Sequence, residues 1–282
     1  MKKKNNTPLL LRIIRWGYPK LERISPTLAI RFFTALFFTP FRYKVPQKER
    51  KAETFAKVFS LDVAGKKVQC YTWGEGPMVL VVHGWAGRAT QFRRFIKPLN
   101  AAGYQVIGFD GPAHGNSEGR KTDLREFEEA LRKIYQKCGE PVAIIAHSFG
   151  GGAVLFSAMN GLHVTKLINI SSPTIGAEII DTYLTTINAS EATRAGFEKY
   201  IVTTFGRPFD DFTSSYFIRH LQHPIDLMLV HDDEDKEVNI RQAEALQILY
   251  PSAKLVRTSG LGHTRILKDN SVIQRCVTFV QA

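Results

Sequence analysis

From about residue 58 onward, apolar and polar positions fall into two kinds of run that take turns. Phe59–Val63 and Lys67–Trp73 alternate apolar with polar side chains around Ala64-Gly65, the pattern of an antiparallel hairpin at a sheet edge. Short unbroken apolar runs follow at Met78–Val82, Gln105–Phe109, Val142–Ala146, Lys166–Ile170 and Asp226–Val230. Runs of that length without alternation predict strands buried on both faces. Lys254–Thr258 supplies one more strand. Between the strands, helical periodicity marks Gln91–Ala102, Asp123–Lys137, Gly151–Met159, Arg241–Leu249 and Ser271–Val280. Strand and helix taking turns predict an α/β fold, with a mostly parallel sheet flanked by helices. One stretch breaks the alternation. Residues 174–222 or thereabouts have a helical pattern of their own, rich in Thr, Phe and Tyr. A connection of that length predicts a short helical cap, with a plain helical insertion as the alternative.

The chain ahead of the hairpin reads differently, dividing the molecule into an extension (1–56) and a main domain (57–282). Met1–Lys4 resembles the charged start of a secretory signal. The apolar run Leu9–Leu11 is soon cut by Arg12 and Arg15, and no small-residue cleavage pattern follows, so no signal peptide is expected. The most apolar stretch, Leu28–Thr39, lies between Pro26 and Pro40. It is well short of the roughly 20 residues that span a bilayer, and Arg31 sits near its start. It predicts one short apolar helix. Docking on the protein's own body, on a second subunit or in a bilayer interface all remain open for it. Pro46–Glu53 reads as a solvated linker or polar helix start.

Composition narrows the class. At 44% hydrophobic and 23% charged, the chain is neither a disordered tail, a collagen-like repeat nor a polytopic membrane protein. The net charge of +12 suggests nucleic acid until it is divided along the chain. Residues 1–58 hold fourteen Lys and Arg against Glu22, Glu49 and Glu53, leaving 24 basic and 23 acidic side chains in the rest. The body is neutral and carries no nucleic-acid reading motif, so no nucleic acid is expected as partner. The basic extension, 1–56, is expected to reach an anionic membrane surface if its apolar helix is not packed on the body. Cys70, Cys138 and Cys276 are odd in number and far apart, without a CxxC pair. A reducing, cytoplasmic compartment is the expectation, peripheral to the inner membrane surface if the extension binds there.

A parallel sheet places its ligand outside the carboxyl ends of its strands. His83-Gly84-Trp85 follows the first buried strand, and Asp110 through Ser117 follows the second. His147-Ser148-Phe149-Gly150 follows the third. Beyond the later strands come His231 through Asp235 and then Gly260-Leu261-Gly262-His263. A serine, carboxylates and a histidine thus converge on one rim, in that order. In these motifs the sequence, from about Lys57 to its end, resembles the serine hydrolases of the α/β-hydrolase fold, the esterase and lipase kind.

Two serines compete as nucleophile. Gly115-Asn116-Ser117-Glu118-Gly119 fits the G-x-S-x-G pattern, whereas Ala146-His147-Ser148-Phe149-Gly150 has alanine first. A nucleophile elbow needs a strand running straight into a helix. Only Ser148 meets that condition, with Ala146 and Gly150 small enough to let strand and helix approach. Ser148 is therefore the expected nucleophile, and Ser117 belongs to a structural loop. His263 is the expected base. For the acid, the family's Gly-x-x-Asp pattern three residues ahead of a valine points to Asp235, before Val238. Asp232 stands where the glycine would be and stays open as the alternative acid. The resemblance further implies an oxyanion hole from the backbone N–H groups of Trp85 and Phe149, supported by His83-Gly84.

The implied reaction is acyl transfer from a carboxylic ester or thioester, a small molecule, to water, with neither metal nor organic cofactor. The aromatic-rich insertion favours an apolar acyl or alcohol group. Fold does not dictate function, so a C–C bond hydrolase, a peptidase, a haloperoxidase-like enzyme or a catalytically silent binding protein stay open. Oligomeric state is not legible in the sequence.

Overall fold

The computed structural model describes residues 9–282; Met1–Lys4, the charged start, lies outside them. Eight strands form one sheet: β1 (Lys57–Val63), β2 (Lys66–Trp73), β3 (Met78–Val82), β4 (Gln105–Phe109), β5 (Ala143–His147), β6 (Lys166–Ile170), β7 (Asp226–Asp232) and β8 (Lys254–Thr258). The order is β1-β2-β4-β3-β5-β6-β7-β8. The hairpin β1–β2 and the pair β2–β4 are antiparallel, and every later pairing is parallel. A sheet of this kind must be covered on both faces, and the buried runs read from the sequence form its centre.

The helices, in chain order, are α1 (Leu9–Ile24), α2 (Pro26–Phe37), α3 (Gln47–Thr54), α4 (Arg93–Ala101), α5 (Leu124–Cys138), α6 (Phe149–Met159), α7 (Gly176–Ile187) and α8 (Glu191–Phe205). They continue with α9 (Ser214–Phe217), α10 (Arg241–Leu249), α11 (Gly262–Arg265) and α12 (Asn270–Gln281). Alternate strand residues supply two cores. Leu80, Val82, Ile144 and Ala146 pack with Phe127 and Leu131 of α5 and Val154 and Leu155 of α6. Val79, Val81 and Ile145 face the other way, with Phe95 and Leu99 of α4 and Ile273, Cys276 and Val277 of α12. Asp123 caps α5 and Asp269 caps α12, each carboxylate accepting from two backbone N–H groups of the first turn. Both caps also favour the positive end of the helix dipole.

The chain divides into two compact units. The larger, Thr39–Thr174 with Phe212–Ala282, contains the sheet. It also takes in α3, which takes the polar helix start and not the solvated linker of the two readings open for Pro46–Glu53. Glu49 is buried there, 3.8 Å from Arg88 and 3.6 Å from Arg93, and the Trp73 indole donates to the Ala52 carbonyl. Two guanidinium groups make that burial tolerable for a carboxylate.

The smaller unit comprises the described residues up to Phe38 with Ile175–Asp211. The helix expected between Pro26 and Pro40 is present as α2, and α7 and α8 of the insertion give it a partner. Ala29 and Phe33 are buried. The Phe33 ring lies 5.2 Å from that of Phe197, and the Phe37 ring 4.6 Å from those of Phe197 and Tyr183. Helix α1 was not foreseen, because its interior-facing positions are polar. The Tyr18 hydroxyl donates to the Ala29 carbonyl and pairs with Thr193, Arg15 donates to the Thr186 carbonyl, and Glu22 accepts from Ser190. Among the described residues no helix is long and apolar enough to cross a membrane.

Candidate active site

The third buried strand, β5, runs directly into α6, and Ser148 is the residue between them. Its backbone has φ 53° and ψ −126°, in the left-handed region that side chains other than glycine avoid. Holding it there costs about 1–3 kcal/mol, which the surrounding bonds must outweigh. The Ser148 N–H donates to the Ile170 carbonyl at 2.8 Å, and the Ser172 hydroxyl donates to the Ser148 carbonyl. Gly150 and Gly84 explain why small residues flank the turn. A Cβ on Gly150 would lie 2.5 Å from the Val82 carbonyl oxygen and 2.6 Å from that of His83, and one on Gly84 2.8 Å from the Ser148 Cβ. Ala146, first in the motif, is buried with its methyl group accommodated.

The N–H of Phe149 opens α6, where no intrahelical acceptor exists. The Trp85 and Phe149 rings lie 5.1 Å apart. His83 supports this loop from beneath. Its Nδ1–H donates to the Gly84 carbonyl at 2.7 Å, and its Nε2 accepts from the Gly111 N–H at 2.8 Å, which defines the tautomer. Asp110 braces the neighbouring loop through the N–H groups of Ala89 and Asn116 and the Tyr71 hydroxyl. Ser117 is tied into the same brace, donating to the Asp110 carbonyl and accepting from the Gln69 N–H.

The two candidate acids part company in space. Asp235 Oδ2 accepts from His263 Nδ1 at 2.8 Å, while its Oδ1 accepts from the N–H groups of Glu237 and Val238. Burial pushes the Asp235 carboxyl up. The hydrogen bond and charge of His263, with those two amides, outweigh burial and hold it below the ordinary carboxylate value. Asp232 makes no bond to His263. Fully buried, it accepts from the N–H groups of Glu234 and Leu261 and from the Thr258 hydroxyl. It thus organises the two loops that carry Asp235 and His263, and this explains a carboxylate where the family pattern has glycine.

His147 had no role in the sequence reading. Its ring lies 4.7 Å from that of His263, and its Nε2–H donates to the His263 carbonyl at 2.9 Å. This bond brings His263 beside the elbow. The structure records no hydrogen bond between the Ser148 hydroxyl and His263, as is common before substrate tightens such a pair. Only proximity in space reveals the contact, since 116 residues separate the partners. No cluster of three or more metal-ligating side chains occurs among the described residues.

Burial and then the nearby His263 ring push His147 down to about 3. Burial likewise lowers His83, His114 and His231. His147 therefore stays neutral in the fold while the unfolded chain takes up a proton below about pH 6.5, and the lowering of the other three acts in the same direction. The unfolded state then binds more protons, so stability declines as pH falls from about 6.5 toward the folded value. Between pH 7 and 5, His147 alone costs about 2 kcal/mol. Asp232 and Asp235, both with lowered values, add their loss only below about pH 4. Urea unfolding is therefore expected to show a steep loss of stability between pH 7 and 5, less steep by about one proton in His147→Gln. A flat profile in the wild type would contradict the neutral, buried state.

The model of the α/β-hydrolase fold matches residues 77–223. Among curated proteins, the chain is 30% identical over 136 residues to the magnesium-chelatase 30 kDa subunit of Rhodobacter capsulatus, which covers 47% of each. It is 30% identical over 134 residues to a serine hydrolase-like protein of Homo sapiens, covering 44% of this chain and 65% of that one. The chain spans about half the length of the curated relatives it matches. An esterase from Exiguobacterium antarcticum superposes with a TM-score of 0.64 at 18% identity, over 80% of this chain and 100% of that one, a likeness of fold. With more than half of its residues matched by the family model, the chain belongs to the α/β-hydrolase fold family.

Proposed function

We propose that the protein is a serine hydrolase that cleaves a carboxylic ester or thioester through Ser148, His263 and Asp235. The observation that carries the reading is the strained Ser148 elbow with the Asp235–His263 pair beside it. The names of the serine hydrolase-like relative and of the esterase with the same fold support it.

A serine hydroxyl is a weak nucleophile until a base takes its proton. With Nδ1–H directed at Asp235, the His263 ring presents an unprotonated Nε2. As Ser148 Oγ bonds to the substrate carbonyl carbon, its proton passes to that nitrogen, and Asp235 stabilises the imidazolium. Negative charge collects on the carbonyl oxygen, where the Phe149 and Trp85 N–H groups receive it. One such donor is worth about 10²–10³ in rate. The α6 dipole adds to the Phe149 contribution. Collapse of the tetrahedral species breaks the C–O or C–S bond, and the imidazolium protonates the departing alcohol or thiol. Water then gives a proton to His263 as its oxygen bonds to the acyl carbon; the bond from that carbon to Ser148 Oγ breaks, the imidazolium returns its proton to Oγ, and the acid leaves.

A fluorophosphonate probe tests the reading, alongside a panel of p-nitrophenyl esters and acyl thioesters of graded chain length. Covalent labelling at Ser148 and turnover of at least one ester or thioester are expected. Labelling without turnover on any ester or thioester would move the protein to another hydrolase chemistry. Absence of labelling would make it a binding protein on the same fold.

A further inference from the structure

In a soluble amphipathic helix the apolar stripe faces the core; in α1 it faces outward. Leu9 is 70% exposed, Ile13 55%, Trp16 68% and Ile24 83%. Their spacing of three, four and eight residues puts them on one face. The opposite face carries Tyr18, Arg15 and Glu22, whose hydrogen bonds to Ala29, Thr186, Ser190 and Thr193 anchor the helix within its unit. Leu28 and Phe32 of α2 are exposed as well, although Phe33 and Ala29 of the same helix are buried. The packing of α2 therefore accounts for one apolar face of the N-terminal helices and leaves another.

We propose that this outward face of α1 docks the protein on the surface of an anionic bilayer. Charge selects that occupant. Arg12, Lys20 and Arg23 lie on or beside the apolar stripe and are exposed. The acid of α1, Glu22, is bonded to Ser190 inside the unit. The Lys20 ammonium stands 3.1 Å above the Trp16 ring, so stripe and charge share one surface, with an indole suited to the headgroup level. A second copy of the chain is a poorer fit. A two-fold contact sets a patch against itself and would bring Arg12, Lys20 and Arg23 against their own counterparts. Sixteen residues interrupted by charge suit a helix lying in the interface plane, with its apolar side chains at the headgroup boundary.

The test is flotation of the full chain with vesicles of phosphatidylcholine containing roughly one third phosphatidylserine, against vesicles of phosphatidylcholine alone. The protein is expected to float with the anionic vesicles, to stay behind with the neutral ones, and to be released in part by high salt. Ile13→Ser with Trp16→Ser should lower the partition at least about tenfold, and Arg12→Glu with Arg23→Glu by a similar factor. These positions are exposed, so both variants should keep the wild-type circular dichroism. Trp16 emission should shift to the blue on anionic vesicles, a shift absent from Trp16→Phe. Failure of the wild type to float overturns the proposal, as does flotation untouched by Ile13→Ser with Trp16→Ser. A concentration-dependent dimer that this same variant abolishes, in a protein that does not float, would assign the face to a second copy instead. None of these measurements depends on hydrolysis, so the result is independent of the catalytic reading.

Discussion

Ser148→Ala is expected to lower kcat on the best ester or thioester substrate by a factor on the order of 10⁶, as loss of the nucleophile does in a serine triad. A residual rate should survive, because the Phe149 and Trp85 N–H groups still polarise the carbonyl for attack by water. The substitution should leave the fold intact. The Ser148 side chain makes no capping bond to α6, and alanine meets the same backbone strain as serine, so stability should change by no more than about 0.5 kcal/mol. The contrast is Ser117→Ala. Its hydroxyl joins the Asp110 carbonyl to the Gln69 N–H within the body, so its loss should cost about 1–3 kcal/mol of stability with activity largely retained. Single-turnover kinetics beside urea denaturation read both quantities. Activity within tenfold of wild type in Ser148→Ala, or lost instead in Ser117→Ala, would sink the nucleophile assignment.

Asp235→Asn should cost about 10⁴ in kcat, and the hydrogen bonds around the carboxylate show why. Oδ1 faces the N–H groups of Glu237 and Val238, so an asparagine keeps its oxygen there and turns its NH₂ toward His263. The ring must then accept at Nδ1 and carry its proton on Nε2, the nitrogen that has to receive one from Ser148. The wrong tautomer is locked in while the loop is preserved. Asp232→Asn should show the reverse signature. An amide cannot accept from both Leu261 N–H and Thr258 Oγ1 on one side and Glu234 N–H on the other. One buried donor therefore loses its partner, at about 1–3 kcal/mol, and kcat should fall by less than about a hundredfold. If the steep kinetic loss appears in Asp232→Asn and only a stability loss in Asp235→Asn, the two roles are exchanged.

Near-neighbour information was enough for much of the fold. All eight strands lie where short apolar or alternating runs predicted them, because a doubly buried strand must be apolar at successive positions whatever packs on it. The position of Ser148 at a strand-to-helix junction followed from the same local logic, and so did the α2 boundaries at two prolines. Other features depended on residues far apart in sequence. Asp232 and Asp235 both follow β7, and only the approach of the His263 loop, 28 residues beyond Asp235, separates a partner of the histidine from an organiser of its loop. His147 reaches the His263 carbonyl across a still longer separation. Glu49 reads as a solvated charge until Arg88 and Arg93 arrive from another part of the chain to bury it. Helix α1 is the clearest case. A hydrophobic pattern tells which face of a helix is apolar, but which face turns inward is decided by what the neighbouring elements offer. Thr186, Ser190 and Thr193 offer hydrogen-bonding groups, so α1 turns its polar face inward and leaves Ile13 and Trp16 outside.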